Sequence, residues 1–202
     1  MEQSWVTEEY GASHEGRVGV LLADGSVPGP VLLDDGGAGA DGRGRPVDHW
    51  SVYDGRLAGV PRAAVLRAVC ACGWTGPEAA LDWAAIGRTS LWEAALEDAG
   101  RCLRDWDGHI LAVGATTVPL PETVTALLEQ LETEIEKLTH DCPVAGVKAA
   151  RQMEIVAARV GYWAACDTEW DMTDQQTAAA LGLSPDAARK LLARFGGWSP
   201  DR

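Results

Sequence analysis

The stretch Thr173–Phe195, TDQQTAAALGLSPDAARKLLARF, carries two helix starts and one helix stop within 23 residues. Thr173 followed by Gln176 is a capping box. The threonine side chain accepts from the third helical N–H while the glutamine reaches back to the cap, so a helix begins at Asp174. Gly182 ends it, because glycine takes the left-handed backbone conformation without a Cβ clash. Ser184 then caps a second helix and Pro185 opens it, where a missing N–H costs nothing. Thr177, Leu181, Leu183, Ala188 and Leu191 are the positions that face inward if the two helices cross steeply. Two short helices joined by a tight turn are therefore expected.

Upstream the pattern stays helical. Val124, Leu128, Leu131, Ile135 and Leu138 recur at spacings of four and three, the seam of a heptad helix. THDCPVAG interrupts it, since Pro143 cannot continue the hydrogen-bond ladder. A second long helix is expected from about Val144 to Cys166, with Val147, Ala150, Met153, Val156, Val160 and Trp163 along one face. The two helices pack on each other, or the first pairs with a second chain. About two and a half heptads are marginal as a free coiled coil.

This C-terminal segment resembles the helix-turn-helix superfamily of bacterial DNA-binding regulators. It has the A-x-x-x-G-x-S form at Ala178, Gly182 and Ser184, and the arginine-over-lysine usage is similar to actinobacterial proteins. The resemblance implies that Ser184–Phe195 is a recognition helix for the major groove of double-stranded DNA. Arg189 would donate to guanine, and Ser184, Lys190 and Arg194 would contact phosphate. So few cations imply a homodimer on paired half-sites.

Charge argues against a general hold on nucleic acid. The 202-residue chain carries 30 acidic and 17 basic side chains, a formal charge of −13. Residues 1–119 hold 17 acids and 9 bases and residues 120–202 hold 13 and 8, so neither half is a basic module. Phosphate binding rests largely on lysine and arginine displacing counterions. Asp167, Glu169, Asp171 and Asp174 lie beside the motif, within reach of an unscreened field over ~8 Å. The alternative to a DNA-binding transcriptional regulator is accordingly a non-catalytic adaptor protein with an acidic surface, in which the motif is architecture.

The N-terminal half reads as β and loop. RVGVLLADG, GPVLLDD, HWSVYDGRLAG and RAAVLRAVCACGW are short apolar runs bounded by Gly, Pro and Asp, each expected to hold a strand. DDGGAGADGRGR between them is expected to be a loop. From Pro77, GPEAALDWAAIG suits a short helix, and Ser90 with Glu93 caps another that runs to about Trp106. VGATTVPLPET is a linker. The fold class expected is α+β, with a β-containing module at 1–115, able to dock a protein partner, and an α-helical domain at 120–202.

Five cysteines with no secretory leader suit reduced thiols or metal ligands in a cytoplasmic protein. Cys70 and Cys72, followed by Gly73, form half of a zinc knuckle, and His109 in WDGHI, just past the helix, is the natural third ligand. Cys102 and His49 are the candidates for a fourth. The alternative is a pair of thiols packed as small hydrophobes. Any zinc is expected to be structural. No G-x-S-x-G, P-loop, dinucleotide fingerprint or H-E-x-x-H is present, so no enzyme is expected. No apolar run is long enough to span a membrane.

Overall fold

The computed structural model describes residues 4–33 and 45–197. The loop expected around 34–45 falls almost wholly outside them. The chain forms two compact units, residues 1–112 and 113–202. Together they have an α+β fold.

In the first unit, β1 (Ser4–Trp5), β2 (Gly16–Leu21), β5 (Val65–Cys70) and β6 (Ala79–Ala80) form an antiparallel sheet in the order β1-β2-β5-β6. A separate antiparallel pair joins β3 (Val31–Leu33) to β4 (Arg45–Val47). Period-two alternation sends Leu66, Ala68 and Cys70 of β5 to the core. There they meet Val18 and Val20 of β2. The helices α1 (Trp83–Ile86), α2 (Leu91–Ala94) and α3 (Leu96–Gly114) follow. Leu91, Ala95, Ala99, Cys102 and Trp106, at spacings of four, four, three and four, lay one helical stripe into the same core.

Three local expectations fail here. HWSVYDGRLAG holds no named strand: Trp50–Val52 is a 3-10 turn capped by His49, and Trp50 and Tyr53 are almost fully buried. GPEAALDWAAIG opens with β6, so its helix begins only at Trp83, where Asp82 accepts from the backbone of Ala84 and Ala85. The helix expected to end near Trp106 continues to Gly114, because no proline or positive-φ glycine interrupts residues 107–114.

The second unit is entirely helical: α4 (Glu122–Asp141), α5 (Pro143–Asp171), α6 (Asp174–Leu181) and α7 (Pro185–Gly196). Cys142 is the single residue between α4 and α5, and Pro143 takes the first position of α5. α4 turns back on α5, with Thr139 against Gly146 where a Cβ would have no room. α7 also packs on α5, Phe195 lying over Gly161. No helix of the described residues is long and apolar enough to cross a membrane.

Candidate metal centre and nucleic-acid interface

The sheet register sets up the first site. Gly16 of β2 stands opposite Cys70 of β5. His14, the last residue of the 3-10 turn Gly11–His14, stands two residues before Gly16, beside the turn that leaves β5. The Ala71 N–H donates to the Glu15 carbonyl at 2.8 Å, which joins the two segments. After Cys70 the chain reverses: the Gly73 N–H donates to the Cys70 carbonyl at 2.9 Å, and Gly73 sits at φ 94°. That backbone conformation suits glycine and aims both thiols to one side of the turn.

α3 supplies the remaining donor. His109 follows Trp106 by three residues, on the end of the stripe that α3 buries. It lies within the helix rather than just past it, as the extension of α3 to Gly114 requires. The Trp106 indole N–H donates to the His14 carbonyl at 3.0 Å, and the Trp74 ring stacks on the His109 imidazole at 4.4 Å and 3°. The His14 main chain and the His109 ring are thus each held from outside.

Four donors result, from His14, Cys70, Cys72 and His109, with every ligand atom within 4.8 Å of the others. His14 Nδ1 lies 3.4 Å from His109 Nε2. Cys70 Sγ is 3.6 Å from His14 Nδ1, and Cys72 Sγ is 3.3 Å from His109 Nε2. A tetrahedral ion with metal–sulfur bonds of ~2.3 Å and metal–nitrogen bonds of ~2.05 Å has N···N edges of about 3.3 Å and S···N edges of about 3.6 Å. These three of the six edges fit within a few tenths of an ångström. The group could therefore hold a metal ion of zinc's preferences.

His14 is the member of the group that sequence reading missed. Neither proposed fourth ligand is in the group. Cys102 lies in the hydrophobic core at 2% exposure, and burial, aided by Asp105 and Asp98, pushes its thiol up to about 11. His49 instead accepts from the Ser51 N–H and contacts the Ser51 hydroxyl at 2.8 Å. Burial holds its imidazole below the usual histidine range. Burial likewise raises the Cys70 thiol and lowers His109, which His14 lowers further. A divalent ion would reverse the rise at Cys70, since a thiol binds metal as the thiolate.

The second site is the α6–α7 pair. Thr173 accepts from the Gln176 N–H while the Gln176 side chain accepts from the Thr173 N–H, the full capping box. Gly182 ends α6 at φ 65°, and the Ser184 hydroxyl accepts from the Ala187 N–H. Thr177, Ala178 and Ala188 are buried between the helices. Leu181, expected inward, closes α6 and is 37% exposed.

Ser184 thus spends its side chain on a cap. Arg189, Lys190 and Arg194 are exposed on α7, but two of them are engaged. Arg189 pairs with Asp174 at 3.1 Å and with Asp186 at 3.7 Å, and Lys190 pairs with Asp186 at 2.7 Å. The Lys190 ammonium holds the Asp186 carboxyl below the usual carboxylate range. Arg194 lies against the Phe195 ring at 5.9 Å. No protein-family model, no curated protein and no solved structure matches this chain.

Proposed function

We propose that the chain is a non-enzymatic zinc protein that acts as a DNA-binding transcriptional regulator. Zinc staples the first unit, and α7 reads duplex DNA. The observation that supports the zinc assignment is the convergence of two thiols and two imidazoles, every ligand atom within 4.8 Å of the others. Four protein ligands leave no open position for water or substrate, which favours a structural role over a catalytic one. The ion would join three segments distant in sequence: the turn before β2, the turn after β5, and α3.

Support for DNA binding comes from the capped α6–Gly182–α7 geometry and from three cations exposed on α7. The ion pairs of Arg189 and Lys190 favour a second reading, in which α7 is architecture and the acidic surface meets a basic protein. Exposed pairs of this kind contribute ~0–1 kcal/mol, so phosphate can displace the carboxylates.

Selection from random duplex DNA with the zinc-loaded full-length protein, at about 0.15 M salt, separates the two. Regulation predicts an enriched motif that Arg189→Ala abolishes. Absence of enrichment, or a motif indifferent to Arg189→Ala, would leave the adaptor reading. Zinc is tested independently by metal analysis of the purified protein, with one equivalent per chain expected.

A further inference from the structure

The second unit buries very little. α4 has no buried residue among its 20, and α5 buries only Gly146 and Ala165 among its 29. Yet α4 places Val124, Leu127, Leu128, Leu131, Ile135 and Leu138 on one stripe of about 100°. Packing on α5 still leaves Leu128 55% and Leu127 65% exposed. On α5, Met153, Val156, Val160 and Trp163 form a matching stripe at spacings of three, four and three. Val160 and Trp163 remain 65% and 62% exposed. Two amphipathic helices side by side make one layer, and a layer with an open apolar face needs a second layer.

The face is about 30 Å long and about 20 Å wide, from 20 residues of rise and two helix diameters. At about 600 Å² such a patch stands at the upper end of what monomers ordinarily expose and approaches the ~800 Å² a stable partner buries. Charge decides the occupant. α4 carries Glu122, Glu129, Glu132, Glu134, Glu136 and Asp141 against Lys137, net −5. Residues 143–160 of α5 carry Lys148, Arg151 and Arg159 against Glu154, net +2. One layer thus holds both an acidic and a basic edge, and an identical layer turned about an axis parallel to the helices sets each acidic edge over a basic one. The other two-fold arrangement would stack α4 on α4, with five net charges of like sign on each.

We propose that α4 and α5 form a four-helix bundle with a second copy of this chain, α4 of each protomer lying against α5 of its partner. The core between them is made by Leu128, Leu131, Val156, Val160 and Trp163. This goes beyond the regulatory reading and does not depend on it, since the apolar face needs cover whether or not α7 meets DNA. In this arrangement both α4–α5 turns lie at the same end of the bundle, which brings the exposed Cys142 of each protomer near the other.

Sedimentation equilibrium of the full-length, zinc-loaded chain tests the proposal. The expected mass is twice the 21.4 kDa of one chain, with a melting temperature that rises with protein concentration. A single-chain mass at every concentration would overturn the proposal, whatever then covers the face. The double variant Leu128→Glu, Val160→Glu should return the single-chain mass while keeping its helical circular dichroism. If that variant loses helix, Leu128→Ala with Val160→Ala decides, with a dimer dissociation constant raised at least ~10-fold; an unchanged constant would place the interface elsewhere. A short bismaleimide should cross-link the dimer through Cys142 and fail in Cys142→Ser. A dimer that never cross-links there would overturn the arrangement.

Discussion

At the scale of single residues, the metal centre is the most exposed to test. His14 and Cys72 enter the donor set from the turns before β2 and after β5, so His14→Ala should cost zinc affinity more than the ~10–100-fold typical of losing an outer-shell partner. Competition with a chromogenic chelator measures it, and affinity equal to wild type would exclude His14 as a ligand. His49 makes a different prediction. Its folded-state pKa lies below the ordinary 6.5, so the unfolded chain binds the extra proton first as the medium acidifies. Stability contributed by neutral His49 is complete above pH 6.5 and declines as pH falls through the lowered value. His49→Gln should flatten the stability–pH curve over that window in urea titrations.

The same scale shows why part of the site was legible. Cys70, Cys72 and Gly73 announce a turn with two thiols, and His109 follows Trp106 on one helical stripe; both are local patterns. His14 has no local signature. Its role depends on β2 pairing with β5 in the register that sets Gly16 against Cys70, and pairing over some fifty residues is not written in either strand. Only with Gly16 set opposite Cys70 does His14, two residues earlier, come beside the CxC turn.

At the scale of elements, the helical half was read almost whole, because its signals are caps and breakers. Thr173, Gln176, Gly182, Ser184 and Pro185 each act within four residues. Gly182→Ala should therefore destabilise the second unit by about 1–2 kcal/mol, the cost of a Cβ in the left-handed region, and Thr173→Ala by about 1 kcal/mol. Chemical denaturation followed by far-ultraviolet circular dichroism reads both, and a neutral Gly182→Ala would contradict the turn geometry. The β half was read less well. Trp50 became a 3-10 turn and Ala79–Ala80 an edge strand through packing and pairing with distant residues, which override short apolar runs.

At the scale of the whole molecule, the two units draw on different sources of stability. A divalent ion would join three segments of the first unit, whereas the second rests on helix packing alone. Chelation should therefore lower the melting temperature of one unfolding transition and leave the other in place. Calorimetry with and without a strong chelator distinguishes this from a single cooperative loss. Charge is also distributed at this scale. The acids beside α7 do not forbid a grip on DNA, but they confine it to Arg189, Lys190 and Arg194. Asp174→Asn, which releases Arg189, should strengthen binding of any selected duplex and steepen its salt dependence.

The stacking of Trp74 on His109 at 4.4 Å gives the centre an optical reporter of its own. An indole held face to face with an imidazole changes its emission when that ring gains a positive charge or a paramagnetic neighbour. Cobalt in place of zinc should quench the Trp74 share of the fluorescence, and Trp74→Phe should abolish that share while leaving all four donors in place. Occupancy of the centre then becomes readable by light, in solution and without a label.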